Sequence, residues 1–333
     1  MKHKVAMLGL GMAVTPHAQS LIDLGDRAEV VAAWSRSAPR RENFAARFPF
    51  PLSENLDRVF ADPDIDIVAV LTPPASHLDL VRRAAAAGKH VLLEKPLDIS
   101  TARAEVMADA AERAGVTVAV MLQHRFKPAA ERLRQVLAQE GLGRIVGVSA
   151  RAPLWRPQSY YDVEGRGTRA RDGGGVLISQ AIHTLDLMLS LAGPVAEVKS
   201  FVGYGAAHRM ETEDLVAASL RFENGAIGVV EATTAFYPGS AERIEFTGTA
   251  GTAVLAGTGL ELRWQDGRSE SFAPDALPGG VGADPMAFSH HYHLAVWRDF
   301  LDALDEGREP RVPPREALKV HRLIDAMLEA GAG

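Results

Sequence analysis

Short apolar runs alternate with amphipathic stretches through the first 120 residues, and no other feature restricts the fold as much. Val5 to Leu8, Val30 to Trp34, Ile65 to Leu71, Val91 to Leu93 and Val116 to Leu122 read as buried strands. Between them, residues 15–24, 38–48, 76–87 and 100–114 carry helical patterning. Pro16 is allowed in a first turn, Ser100 is placed to cap, and Gly88 and Gly115 are placed to stop. Strands that alternate with helices need crossover connections, which gives parallel βαβ units.

The pattern changes after about residue 124. One helix, residues 128–139, precedes a series of strands at 145–151, 195–202, 214–222, 226–234, 241–247, 252–256 and 259–264. Glu223-Asn224-Gly225 is a hairpin signal, because Asn-Gly suits the left-handed turn residues. Such tight spacing predicts a mostly antiparallel sheet. Two helices, near 290–306 and 314–330, close the chain. The expected class is therefore α/β: a doubly wound parallel sheet in residues 1–123, then an α/β domain with an open, mostly antiparallel sheet in residues 124–333. The C-terminal helices have the option of packing back on the first domain.

Composition narrows the function. Among 333 residues, 36 Lys and Arg face 42 Asp and Glu, a net charge of −6, which does not attract nucleic acid. There is no cysteine, so disulfides, thiolate metal sites and thiol nucleophiles are excluded. No apolar run reads as long enough for a bilayer and no signal-peptide pattern opens the chain, so a cytoplasmic protein without a membrane partner is expected.

Gly9-Leu10-Gly11 lies between the first strand and first helix, with Met12 and Ala13 leading into that helix. The first glycine suits a tight turn; the second lets a backbone approach a pyrophosphate on the helix N-terminus. The third glycine of the fingerprint is absent, since residue 14 is Val. Alone, the motif also fits an ordinary strand-to-helix turn; the βαβ context favours a dinucleotide. The second strand ends in Trp34-Ser35-Arg36-Ser37, followed by Arg40 and Arg41. No acid stands there to hold a ribose 2′-hydroxyl, whereas Ser and Arg suit a 2′-phosphate. NADP is expected, NAD remains open, and a plain solvated basic loop is the alternative.

Residues 172–194, DGGGVLISQAIHTLDLMLSLAGP, read as an apolar helix between glycine punctuation. Ser179, His183, Asp186 and Ser190 are spaced four, three and four apart, on one helical face. A polar stripe of this kind lines a cavity or makes internal hydrogen bonds. His183 titrates near neutral pH, and Asp186 stands one turn away.

These segments together resemble the Gfo/Idh/MocA oxidoreductases, the glucose–fructose oxidoreductase and inositol dehydrogenase group. The resemblance spans nearly the whole chain. It rests on Gly9-Leu10-Gly11, Thr72-Pro73-Pro74-Ala75-Ser76-His77, Ala87 to Leu97 with its Glu94-Lys95-Pro96 element, Gly173-Gly174-Gly175, and Gln180-Ala181-Ile182-His183-Thr184-Leu185-Asp186. It implies a Rossmann domain, a second α/β domain, and a substrate lying between them over the nicotinamide. It implies Lys95 as the residue that stabilises an alkoxide, with Pro96 often in a cis peptide, and His183 as general base or acid. It implies cofactor contacts at Gly9, Leu10, Gly11, Met12, Ala13, Ser35, Arg36, Arg40, Thr72, Pro73, Pro74, His77, Glu94, Lys95, Pro96 and Gln123. Ser179 stands where many members have Asp, which turns the reading from inositol toward other sugars, nucleotide sugars or oxidised ring compounds; Asp186 is a candidate to replace that acid.

Residues 151–172 read as a specificity loop. Trp155, Tyr160 and Tyr161 offer rings for stacking; Arg156, Arg166, Arg169, Arg171 and the separate Arg125 offer charge for a carboxylate or phosphate. A solvated face is the plainer reading for any one arginine. Ser179, Gln180 and His183 complete the expected substrate contacts. His290-His291-Tyr292-His293 lacks an i, i+4 His pair and an accompanying acid cluster, so no metal is expected. The open face of the second sheet suits a homodimer or homotetramer. Two other functions compete: an NAD-dependent glycoside hydrolase, which would release free sugar without net cofactor change, and a dinucleotide sensor, which would need neither Lys95 nor His183.

Overall fold

The computed structural model describes residues 2–273 and 289–332. The chain divides into two compact units: residues 1–122 with 290–318, and residues 123–289 with 319–333.

The first unit alternates strand and helix: β1 (His3–Leu8), α1 (Val14–Asp23), β2 (Ala28–Trp34), α2 (Ala38–Ala45), β3 (Leu52–Ser53), α3 (Leu56–Ala61), β4 (Ile67–Val70), α4 (His77–Ala86), β5 (His90–Leu93), α5 (Thr101–Ala114) and β6 (Val118–Val120). The strands pair in parallel in the order β3-β2-β1-β4-β5-β6. The order reverses beside β1, which makes the crevice at the carboxyl ends of β1 and β4 the place where doubly wound sheets bind ligands. Val5 to Leu8, Ile67 to Val70 and Val91 to Leu93 are buried on both faces, as central parallel strands require. Punctuation acts as expected: Ser100 Oγ accepts from the Arg103 amide, and Gly115 takes the left-handed cap at φ 66°. The sequence does not announce β3 and α3, because a two-residue edge strand has no apolar run to show.

The second unit holds α6 (Pro128–Ala138), β7 (Ile145–Pro153), α7 (Gln158–Tyr161), α8 (Arg169–Asp172), α9 (Ile182–Ala192), then β8 (Val195–Tyr204), β9 (Glu213–Phe222), β10 (Ile227–Thr233), β11 (Arg243–Gly248), β12 (Gly251–Ala256), β13 (Gly259–Trp264) and β14 (Ser269–Phe272). The sheet order is β14-β13-β12-β11-β7-β10-β9-β8, antiparallel except for the parallel β7–β10 pair. In β9 buried and exposed residues alternate with period two, so one face is covered and the other open. Val148, Ala150, Ile244 and Phe246 are buried, in the strands that pack against α9.

Two helices follow, α10 (His291–Glu306) and α11 (Pro314–Ala330). α10 packs on α1, within the first unit, while α11 runs from the first unit into the second.

The stretch expected as one helix over 172–194 is broken. α8 ends at Asp172, Gly173 turns left-handed at φ 85°, and a π-helical turn (Leu177–Ala181) precedes α9. A Cβ on Gly175 would lie 1.8 Å from the Glu213 carbonyl oxygen, so glycine is required there. The close approach lets the buried Glu213 carboxylate accept from the Gly175 and Leu177 amides and serve the exposed donors of the helix start. Contrary to the reading from the sequence, Arg169–Ala192 is by length and composition alone apolar enough to cross a membrane; 72% of that window is buried within the protein, as in a core helix.

Candidate active site

Gly9 ends β1 with φ 106°, and a Cβ there would meet the Leu71 carbonyl and Thr72 amide within 2.8 Å. Only glycine lets β1 and the end of β4 approach so closely. A Cβ on Gly11 would meet nothing within 4 Å, so open space lies over that backbone. α1 then starts with no side-chain cap at Ala13 and no acid in its first turn. Bare amides at the positive end of a helix, beside open space, fit a pyrophosphate. Leu10 is buried and Met12 exposed, so they frame this turn differently.

At the end of β2, Ser35 is buried and its Oγ accepts from the Ser37 amide. Arg41 braces the loop, donating to the Ser35 carbonyl at 2.7 Å and to Glu54 at 2.9 Å. Arg36 and Arg40 are exposed, with no ion pair to another described residue. This loop therefore offers a hydroxyl and two solvent-facing guanidiniums rather than an acid.

After β5, the chain presents Lys95 as a half-buried residue between buried Glu94 and buried Pro96 and Leu97. The Lys95–Pro96 bond is cis. Two expected cofactor contacts are already committed to protein. His77 is fully buried; its Nε2 lies 2.8 Å from the Thr72 carbonyl oxygen and its Nδ1 3.0 Å from that of Pro96. It ties the Thr72-Pro73-Pro74 turn to the turn after Lys95 and has no nitrogen left for a ligand. Glu94 accepts from the His17 ring at 2.8 Å and from the Lys95 amide at 3.1 Å, so it fixes the loop from inside. Burial alone would raise the Glu94 carboxyl, but the His17 hydrogen bond and the charges around it outweigh that and hold it at about 2.

The acid that the sequence did not provide near His293 is this same Glu94. His293 Nε2 lies 3.9 Å from Glu94, and the three groups His17, Glu94 and His293 bring their ligand atoms within 4.8 Å of one another. A tryptophan decides what this cluster is. Trp297 Nε1–H donates to His17 Nδ1 at 3.2 Å, so the ring proton sits on Nε2 and points at Glu94. That tautomer fills the direction a metal would need. The cluster is a buried hydrogen-bonded clasp between α1, β5 and α10, and burial pushes His293 down to about 3.

In the second unit, Asp186 does not replace the acid missing at position 179. It forms a bidentate pair with Arg125, Oδ2 to Nε at 2.7 Å and Oδ1 to Nη2 at 2.6 Å, and both side chains are buried. Arg125, expected at the substrate, is thus the counter-charge of Asp186. The stripe is divided: Ser179 Oγ lies 3.4 Å from the Gly174 carbonyl and Ser190 bonds back to Leu187, while the π-helical turn changes the angular step from Ser179 to His183. His183 instead lies against His124, with ring centroids 4.8 Å apart. His124 Nε2 is 3.7 Å from Glu242, whose other oxygen accepts from the Thr184 hydroxyl at 2.5 Å. Lys127 is buried nearby, donates to the Gly257 carbonyl, and is pushed below its ordinary range by burial against the pull of Glu242. The sequence does not single out His124, Glu242 or Lys127; the HRFK run after β6 is the one local signal, and Glu242 lies over a hundred residues away.

The expected specificity loop separates into structural and available residues. Tyr161 is buried, donates to Thr234 Oγ1 at 2.9 Å, and is pushed up to about 12 by burial; it is a core residue and not a stacking platform. Trp155 packs edge-on against Tyr237 at 5.3 Å. Tyr160 lies under the guanidiniums of Arg166 at 4.0 Å and Arg156 at 5.7 Å, and its hydroxyl is 3.5 Å from Gln180 Nε2. Arg169 is exposed. Gln123 is partly buried, and its Oε1 has no partner among the described residues. An open cleft elsewhere in this unit, lined by Arg132, Trp264, Arg268 and Glu270 among others, includes none of these residues.

A dinucleotide-binding parallel sheet followed by an antiparallel α/β unit, with a lysine at a strand end and a histidine on a core helix, defines an oxidoreductase class. Residues 3–122 match the model "Oxidoreductase family, NAD-binding Rossmann fold", and residues 130–254 match the "GFO/IDH/MocA C-terminal domain". The chain belongs to the Gfo/Idh/MocA family of oxidoreductases and transfers hydride to or from a nicotinamide cofactor. It is 30% identical to scyllo-inositol 2-dehydrogenase (NAD(+)) of Bacillus subtilis over 95% of this chain and 91% of that one. It is 27% identical to D-apiose dehydrogenase of Paraburkholderia graminis, over 98% and 86%. The WlbA dehydrogenase of Bordetella pertussis, solved with NADH and UDP-GlcNAcA, matches with TM-score 0.85 and 27% identity over 100% of this chain and 97% of that one.

Proposed function

We propose that this protein is a dehydrogenase or reductase of a polyhydroxylated ring compound, a sugar, nucleotide sugar or cyclitol, with NADP as its preferred cofactor. The observation that carries the proposal is the lysine at the carboxyl end of β5: Lys95 is partly exposed while Glu94, Pro96 and Leu97 beside it are buried, so the loop is built to present one charge. The relatives named for inositol and apiose support the substrate class.

Gly9, Gly11 and the uncapped start of α1 would hold the pyrophosphate. The bound nicotinamide supplies or accepts the hydride. Lys95 then stabilises the oxygen that becomes an alkoxide, and His183 takes its proton in oxidation or returns it in reduction. Tyr160 and Gln180 orient the ring.

Ser35, Arg36 and Arg40 support the NADP preference, although the relatives carry NAD in their names or complexes. Fluorescence titration with NADPH and NADH tests it. Tighter NADPH binding is expected, and Ser35→Asp should bring the ratio of affinities toward NADH by about tenfold or more, since an acid repels the 2′-phosphate. An unchanged ratio in the variant would overturn the assignment.

The same reading includes a second copy of the chain on the open sheet face. Phe201, Ile227 and Val229 are 85%, 59% and 50% exposed there, large apolar side chains set among Lys199, Arg221 and Glu231 on the open face.

A further inference from the structure

We propose that His183 does not titrate alone: His124 and His183 hold one proton between them, and Glu242 sets how firmly. The inference rests on the reading of His183 as the acid–base group, and it answers how that group works without an acid at position 179. His124 lies in a short 3-10 turn, Gln123–Phe126, and that turn packs on α9, whose first turn carries His183. Their centroids are 4.8 Å apart and their planes 33° apart, a tilted ring-to-ring contact. Two imidazolium cations at that separation repel each other strongly, so near neutral pH the pair takes one proton, and its steps belong to both rings.

Glu242 is placed to stabilise that single positive charge. One oxygen lies 3.7 Å from His124, and the Thr184 hydroxyl holds the other at 2.5 Å. Thr184 adjoins His183 in sequence, so the acid is fixed to the same helix turn that carries the base.

Other charges lie near the pair among the described residues of this unit. Lys127, at the start of α6, opposes Glu242 across the cluster and is itself disfavoured as a cation by burial. Arg125 and Asp186, on the elements that carry the two rings, neutralise each other in a bidentate pair. Glu131 on α6 pairs with Arg134. β7 and β11 bury apolar residues in the layer that packs on α9, and their charges Arg151 and Arg243 are exposed, paired with Glu231 and Glu245. Among the described residues, Glu242 is an anion within 4 Å of the histidine pair, at 3.7 Å from His124. The consequence for the reaction is direct: when a hydroxyl proton moves to His183, the charge that arrives is spread over both rings and faces a carboxylate.

The test needs no substrate. Histidine ring carbons are labelled with ¹³C in the full-length protein, and the His183 and His124 signals, assigned by loss in His183→Gln and His124→Gln, are followed with pH. Both rings should report a shared first protonation step. Glu242→Gln keeps the acceptor for Thr184 but removes the charge, and should move that step down by roughly one pH unit. Glu242→Asp should restore part of the shift. If the His183 midpoint is the same in wild type, Glu242→Gln and His124→Gln, the inference is overturned. Turnover assayed on the same proteins separates the two claims: full activity in His183→Gln would sink the role of His183 itself, whatever the titrations show.

Discussion

Arg125 and Asp186 illustrate what single residues reveal and conceal. In the sequence each stands out as a polar residue in an apolar setting with another partner in view, substrate for Arg125 and His183 for Asp186. They satisfy each other across 61 positions, a pairing no local pattern announces. A buried pair broken on one side leaves an uncompensated charge, which costs about 3–5 kcal/mol. Arg125→Met should lower unfolding stability by that amount in urea. Unchanged stability with a raised KM would return Arg125 to the substrate. Gly9, Gly11 and Lys95 were readable because their chemistry is local: a backbone angle, an open approach, a charge after an apolar run. His17, His124 and Glu242 were not, because their meaning lies in partners far along the chain.

Among elements, most strands and long helices follow apolar periodicity and punctuation, and their positions match the patterning closely. The exceptions are short or interrupted. β3 and β14 are short edge strands with little apolar sequence, and the π-helical turn before α9 interrupts a run whose composition reads as one helix. α10 has a property its sequence did not show, since His293 enters the clasp with His17 and Glu94. His293 titrates at about 3 in the folded chain and near 6.5 when unfolded, so protonation favours unfolding. Its contribution is complete above about pH 6.5 and declines as pH falls toward 3. Glu94 acts lower: held at about 2, its contribution is present above about pH 4.3 and is lost as pH falls to 2. His77 and His90, both lowered chiefly by burial, add to the histidine window. Between pH 6.5 and 5 the stability of wild type should fall by about 2 kcal/mol more than that of His293→Gln, at roughly 1.4 kcal/mol per pH unit. Parallel urea curves for the two proteins across that interval would contradict the burial argument.

For the molecule as a whole, the class of each unit was present in the alternation of strand and helix and then of strand and turn. The proposed second copy can be tested at Phe201 on β8 and Ile227 on β10, both exposed. Phe201→Glu with Ile227→Lys should reduce the mass seen by light scattering to that of one chain, while a monomeric wild type would contradict the second-copy proposal. Lys95 lies in the first unit and His183 in the second; the proposed reaction gives each a role. The most direct test is cofactor absorbance during turnover of a panel of sugars, sugar nucleotides and cyclitols, with wild type beside Lys95→Met. Net reduction of NADP or NAD by wild type, falling by about 10²–10³-fold in the variant while cofactor affinity stays within about twofold, is the predicted result. Near-normal turnover in Lys95→Met, or free sugar released with no net change in absorbance, would contradict it.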